Sequence, residues 1–250
     1  MTEDPLYVRL ADELRARIAE GEWVGETLPP ERVLAEERQV SRNTVIKAYD
    51  LLVHEGLVTP GRGRAGRKVR DRRVLTVFAS QSERLDRMTT SSVDTWVSDV
   101  QEDGREPGQT IGVGVVSANK DLAAWLGVER DVPVAVRRRL RTIDGHPDNI
   151  ADTFYPPVVT EVCPEIMNPA DVPQGVLTLM ADRGFPQVRC EDRLRWGPAT
   201  PEEASQLKLA PGVSVLRQNR IGYGPEDLPI RVAITVWPGD THELRYEMSS

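Results

Sequence analysis

Arg42 and Asn43 open the stretch Ser41-Arg42-Asn43-Thr44-Val45-Ile46-Lys47, where side chains suited to touching a base edge stand together. A guanidinium can donate two parallel hydrogen bonds to guanine, and a carboxamide can exchange two with adenine. An exposed isoleucine can rest on a thymine methyl. Ser41 makes a good N-cap, because its hydroxyl can accept from the unpaired N–H groups of the first helical turn. Val45, Tyr49 and Leu52 recur at i, i+4 and i+7 and must face inward. That leaves Arg42, Asn43, Ile46 and Lys47 on the outward side of the first turns.

The charge around this stretch fits a polyanion. Residues 38–73 carry 10 basic and 3 acidic side chains, a local net charge of +7 in a chain whose formal net charge is −7. Phosphate affinity follows the local footprint, since the counterions released are those beside the contacted phosphates. The acidic whole chain therefore does not exclude nucleic acid.

Three helical patterns position these groups. Leu6, Leu10, Leu14 and Ile18 repeat every four residues and predict an amphipathic helix ending near Gly21. GEWVGETLPPE reads as a loop, with Pro30 suited to the first turn of a short helix reaching Arg38. The break Gln39-Val40-Ser41 then leads into the third helix. Two short helices joined by a tight turn describe a helix-turn-helix, whose second helix enters the major groove. Leu57-Val58-Thr59 and Lys68-Val69 read as short strands around GRGRAGR, a wing in which Arg62, Gly63, Arg64 and Arg67 can approach the DNA backbone. GRGRAG is not a nucleotide-cradling loop, for it lacks the following Lys-Ser/Thr and the strand-turn-helix setting.

This segment, LYVRLADELRARIAEGEW…LPPERVLAEERQVSRNTVIKAYDLLVHEGLV…GRG, resembles the winged helix-turn-helix of the GntR family of regulators over about 70 residues. The resemblance implies DNA contacts from Arg32 of the PPER segment, from Arg42, Asn43 and Thr44, and from the wing glycines. Two departures put the operator sequence in doubt. Ile46 stands where many members have Arg, and the wing is one residue longer. Arg32 has an alternative role as an ion-pair partner of Glu36 at i+4.

After a short charged linker, expected at 71–77, the pattern changes. Strand-like runs (VLTVFAS, TIGVGVVSA, VPVAVRRRLRTI, NIADTFYP, SVLRQNRIGYG and PIRVAITVWP) alternate with helical stretches near 92–103, 119–127, 174–183 and 200–209. Asn119 and Thr200 are plausible caps, and Asp-Gly in RTIDGHP predicts a hairpin turn. The expected class is α+β, an antiparallel sheet covered by helices. The region 78–250 resembles the UTRA sensor domain of the HutC subfamily, which implies a chorismate-lyase-like fold without lyase activity.

The resemblance places Arg139 and Arg141 on the Arg-x-Arg pair that holds an anionic effector in sugar-phosphate-sensing members. Alternation puts both guanidiniums, and Arg137, on one strand face. Trp96 falls where many members place a pocket aromatic. Ala151 and Arg231 replace glutamates and Trp237 replaces a tyrosine, so the expected pocket is more positive and more aromatic. Alternatively, the three arginines simply pair with acids such as Asp144 and Asp152.

The function expected is a DNA-binding transcription regulator, a repressor released from a pseudo-palindromic operator by a small anionic effector. It would act as a cytoplasmic homodimer. The alternative is a constitutive repressor whose C-terminal region serves dimerisation alone. No nucleophile–base constellation points to catalysis, and nothing in the sequence calls for a cofactor, a metal or a membrane. Cys163 and Cys190 have no ligand spacing and are expected to be free and buried.

Overall fold

The computed structural model describes residues 4–61, 66–70, 74–79, 95–170, 172, 174–209 and 213–247. The chain divides into two compact units, Met1–Arg73 with Leu209–Val213, and Val74–Lys208 with Ser214–Ser250.

The first unit contains α1 (Leu6–Ala19), α2 (Glu31–Arg38) and α3 (Arg42–His54). Leu10, Leu14 and Ile18 of the expected stripe are buried with Leu34, Val45, Tyr49 and Leu52, whereas Leu6 at the helix start is exposed. Gln39, at φ 54°, ends α2 in the left-handed region and turns the chain tightly towards α3. Ser41 caps α3 as expected, its Oγ accepting from Thr44 N–H at 3.1 Å.

The second unit is built on a six-stranded antiparallel sheet of order β2-β3-β4-β7-β6-β5. Its strands are β2 (Pro107–Ser117), β3 (Pro133–Ile143), β4 (His146–Tyr155), β5 (Arg189–Pro198), β6 (Ser214–Tyr223) and β7 (Pro229–Pro238). A separate parallel pair joins β1 (Leu75–Phe78) to β8 (His242–Arg245). Leu75 to Val77 belong to a strand, as the run VLTVFAS suggested, although the expected linker of 71–77 overlapped it. The helices are α4 (Thr95–Glu102), α5 (Lys120–Leu126), α6 (Pro157–Val162), α7 (Val176–Asp182) and α8 (Pro201–Gln206).

Local signals explain many of the boundaries. Asn119 caps α5 by accepting from the N–H groups of Asp121 and Leu122. Thr200 and Glu203 form a reciprocal capping box at α8. Asp144 and Gly145 both take positive φ between β3 and β4, as a two-residue turn matched to strand twist requires. β5 was not expected, because ArgCysGluAspArgLeuArgTrp lacks apolar alternation. It is an edge strand, held by charged partners such as Arg220 on Asp192. Cys163 is buried as expected but Cys190, on that edge strand, is exposed.

The two faces of the sheet differ. One carries Arg137, Asn149, Thr153, Gln218, Arg220 and Arg231, all buried. Arg137 donates to the carbonyls of Ile166, Asn168 and Ala170, tying down the segment after α6. Towards one end of this face Asp148 lies 3.2 Å from Nε2 of His242, whose side chain is 1% exposed. Burial pushes the Asp148 carboxyl upward, but the neighbouring His242 ring and the hydrogen bond from Asn149 Nδ2 together hold it below its ordinary value.

Since Asp148 titrates lower folded than unfolded, its stabilisation is complete near neutrality and drains away as pH falls through the acidic range. Asp148→Asn is expected to cost about 1–3 kcal/mol near neutral pH, because the amide cannot replace both carboxylate oxygens among its buried neighbours. It should also flatten the acid limb of a melting-temperature profile; an unchanged acid limb would show that Asp148 is not the titrating group.

Candidate nucleic-acid interface and effector face

In the first unit α3 presents the expected groups outward. Arg42, Asn43 and Lys47 are exposed and Ile46 is half-buried. Thr44 faces back to Ser41, its hydroxyl 2.8 Å from Ser41 Oγ. Arg42 does not wave freely: its Nη2 donates to Glu31 at the start of α2 at 2.9 Å, and its Nε to the same oxygen at 3.2 Å. The pair fixes the guanidinium over the first turn of α3 while leaving its side chain 68% exposed. Arg32 is exposed, and its Nε lies 3.8 Å from Glu36, too long for a hydrogen bond. Its i+4 neighbour therefore holds it loosely. Lys47 reaches to 5.9 Å from the Tyr7 ring.

The wing is more than the expected two strands. Val69 bridges both Val58 and Val24, and Thr27 bridges Lys68, so residues 67–70 lie between 57–59 and 24–27. Backbone bonds from Leu28 to Arg67, Val69 to Glu26 and Thr59 to Lys68 close this small ladder. The sequence signal for the third segment was masked by its glycines, which read as loop. At the neck of the wing the chain passes itself at close range. A Cβ on Gly61 would stand 1.7 Å from the Gly66 carbonyl oxygen, and Gly66 itself takes φ +62° against Thr27. Arg62, Gly63 and Arg64 lie outside the described residues.

Arg67, expected to reach for the DNA backbone, instead turns inward and is 8% exposed. Its Nη2 donates to Asp50 at 2.7 Å, while Nη1 and Nε donate to the carbonyls of Ile46 and Gly61 at 3.3 and 3.4 Å. The guanidinium also sits 5.4 Å from the Tyr49 ring centroid. Tyr49 in turn donates to the Pro29 carbonyl, and burial pushes its hydroxyl pKa up. One side chain thus joins the wing to the middle of α3.

In the second unit Arg139 and Arg141 share a face of β3, as alternation requires, but their surroundings differ. Arg139 Nη1 lies 3.4 Å from the Thr153 hydroxyl. Across the sheet it is followed by Ala151, Thr235 and Gln218 in register, so two small side chains stand next to it. Arg141 lies 4.8 Å from the centroid of the buried Trp96 ring. Trp237 is buried too, its ring centroid 6.4 Å from that of His242. His242 stands 3.2 Å from Asp148, Trp237 lies against His242 and Arg141 over Trp96, so these side chains gather at one end of the face.

Arg231 is not part of that group. It lies four residues along β7 from Thr235, roughly 13 Å away, and its Nε donates to Gln187 at 2.8 Å. Of the acids considered as partners for the arginines, Asp144 bonds Arg105 at 2.9 Å, and Asp152 lies 3.6 Å from Arg138 on the other face. Asp148 and His242, which organise the aromatic end, gave no sequence signal because neither sits in a motif.

A second network on this face links Asp192, Gln218, Arg220 and Tyr246. Gln218 Nε2 donates to both Asp192 and the Tyr246 hydroxyl at 2.9 Å, and Arg220 donates to Asp192 and to the Ala79 carbonyl.

Comparison with known proteins agrees with this layout. Residues 6–67 match the model of bacterial regulatory proteins of the gntR family, and residues 103–243 match the UTRA domain. The chain is 30% identical over 244 residues to an uncharacterized HTH-type transcriptional regulator of Rhizobium meliloti, covering 97% of this chain and 94% of that one. It is 26% identical over 247 residues to the HTH-type transcriptional repressor NagR of Bacillus subtilis, covering 98% and 95%. Among solved structures, PhnF from Mycobacterium smegmatis shares the fold with a TM-score of 0.59 at 23% identity, covering 96% of this chain and 99% of that one.

Arg67→Ala should destabilise the first unit by about 1–3 kcal/mol through the acceptors it leaves unmet. Ser41→Ala should cost about 1 kcal/mol through the lost cap. Urea unfolding of the full-length chain, followed by Tyr and Trp fluorescence and by helical circular dichroism, measures both. An Arg67→Ala chain as stable as the parent would show that the inward contacts contribute nothing.

Proposed function

The chain belongs to the gntR family of bacterial regulatory proteins and carries a UTRA domain, so it is a DNA-binding transcription regulator and not an enzyme; on that premise we propose a homodimeric repressor that a small anion releases from its operator. Two copies related by a twofold axis would present two α3 helices to half-sites about one helical turn (~34 Å) apart, which makes the operator pseudo-palindromic. Its place of action is the cytoplasm, where the DNA is.

Arg42 and Asn43 supply the hydrogen-bonded reading in this scheme, and Ile46 adds an apolar contact. Arg32, Lys47 and the wing arginines Arg62 and Arg64 supply phosphate affinity. Glu31 holds Arg42 in place before DNA arrives, but it also competes with the base for the same donors. Gly63 lets the wing backbone come close. The role of Arg67 shifts from contact to support, since its guanidinium holds the wing against α3.

The observation that carries the effector reading is the pairing of Arg139 and Arg141 on one strand face, with the small Ala151 and Thr235 next to Arg139. Two guanidiniums spaced by one residue suit a phosphate or carboxylate. Trp96 and Trp237 favour an effector with an apolar or aromatic body, and Arg231 lies too far along β7 to share the same anionic group. Release follows only if the effector prefers the arrangement in which the two reading helices no longer match the operator, and by no more than that preference.

Footprinting on the DNA upstream of its own gene, followed by a screen of phosphorylated and carboxylated metabolites for release, tests the scheme. Arg42→Ala should weaken operator binding by about 1–3 kcal/mol, roughly 5- to 150-fold. Arg139→Ala should bind the operator normally but ignore the releasing compound. A chain that no anion releases, with Arg139→Ala indistinguishable from the parent, would leave a constitutive repressor instead.

A further inference from the structure

Glu31 opens α2, and packing settles where it stands relative to α3. Leu34 and Ala35 of the same short helix are buried in one cluster with Val45, Ala48 and Tyr49 of α3. The Tyr49 hydroxyl donates at 2.8 Å to the carbonyl of Pro29, two residues before Glu31. The Glu31 carboxylate belongs to the first turn of α2, where unpaired N–H groups favour a negative charge. Its side chain is 25% exposed against 68% for Arg42, so the acid is the sheltered member of the pair.

The way Glu31 takes hold of Arg42 decides which donors remain. A guanidinium has five N–H donors, one on Nε and two on each terminal nitrogen. One oxygen of Glu31, Oε2, accepts from Nε at 3.2 Å and from Nη2 at 2.9 Å. The side edge of the guanidinium is thereby occupied. Two parallel donors are still offered by the end edge, which pairs Nη1 with the second hydrogen of Nη2. In the major groove only guanine shows two adjacent acceptors, O6 and N7; adenine and cytosine place an amino group there, and thymine a single carbonyl. The neighbouring Arg32 is held quite differently, 82% exposed and with its Nε beyond hydrogen-bond range of Glu36 at 3.8 Å.

We propose that Glu31 makes Arg42 a reader of guanine, by holding the side edge of its guanidinium and leaving the end edge for O6 and N7. This inference rests on the base reading by Arg42 proposed above, and it names the base. Without Glu31 the guanidinium can swing to a phosphate oxygen, or give a single bond to adenine N7 or thymine O4. With Glu31 in place, an acceptor approaching the side edge has to displace a carboxylate first. The paired arginine also carries less net charge towards the polyanion, which lowers its affinity for DNA of any sequence. Glu31 itself touches no base in this scheme; it is a positioning residue.

Duplexes that the full-length parent selects from a random library supply the operator. A panel in which each base pair of one half-site is replaced in turn then ranks the preferences by fluorescence anisotropy. Arg42→Ala marks the position that Arg42 reads, as the one where preference disappears. There the parent should favour guanine by about 5- to 150-fold. Glu31→Ala should shrink that preference to about 3-fold or less while leaving the other positions as they are. It should also bind random-sequence duplex at least as tightly as the parent, since an acid has left the interface. Glu31→Gln keeps the size of the side chain and a neutral acceptor, and should fall between.

If both Glu31 variants discriminated guanine as well as the parent, the inference would be overturned while Arg42 remained the reader. A loss spread over every position, with weaker binding to random-sequence duplex, would also overturn it, because that is what a loosening of α2 against α3 produces. So would a parent that prefers another base at the Arg42 position. If Arg42→Ala erased no preference anywhere, the reading role of Arg42 itself would fall.

Discussion

Arg67 joins the wing to α3, and it does so because a guanidinium shut off from water must find acceptors in the protein. Asp50 and the carbonyls of Ile46 and Gly61 supply them. The same constraint governs the second unit. Arg137 draws the segment after α6 onto the sheet through three carbonyls, and Arg220 holds both edge strand β5, through Asp192, and the end of β1, through Ala79. In each case a five-donor group has pulled two or three separate chain segments to one point. Loops and an edge strand with little apolar alternation are fixed by acceptors rather than by greasy contact.

Most of the architecture was legible because its causes are local. The stripe Leu10, Leu14, Ile18, the cap at Ser41, the capping box at Thr200 and the Asp144-Gly145 turn each state their structure within a few residues. Alternation placed Arg137, Arg139 and Arg141 on one face. What the sequence withheld depends on partners far along the chain. Whether Arg67 points out or in is decided by Asp50, 17 residues away. The isolation of Arg231 from Arg139 follows from strand register, and the cluster around Arg141 follows from a carboxylate and a histidine nearly 100 residues apart. β5 was hidden for a related reason: its side chains are charged because their partners are charged.

The acidic chain concentrates its positive charge in one small segment, and even there Arg42, the arginine proposed to read a base, is shared with an acid. The Glu31–Arg42 pair is exposed enough that water and salt screen it, so it holds geometry more than it stores energy. A guanidinium already oriented over the first turn of α3 loses less freedom on meeting a base.

The parallel pairing of β1 with β8 sets an order on synthesis. Thr76 and Glu243 meet across 167 residues, so the strand that opens the second unit has no mate until nearly the whole of that unit has left the ribosome. The core of the helix-turn-helix has no such wait, since the buried side chains that form it lie between Leu10 and Val69. On a translating ribosome the DNA-reading part can therefore be folded while the sensing part is still an open chain, and β1 remains an unpaired strand edge throughout that interval.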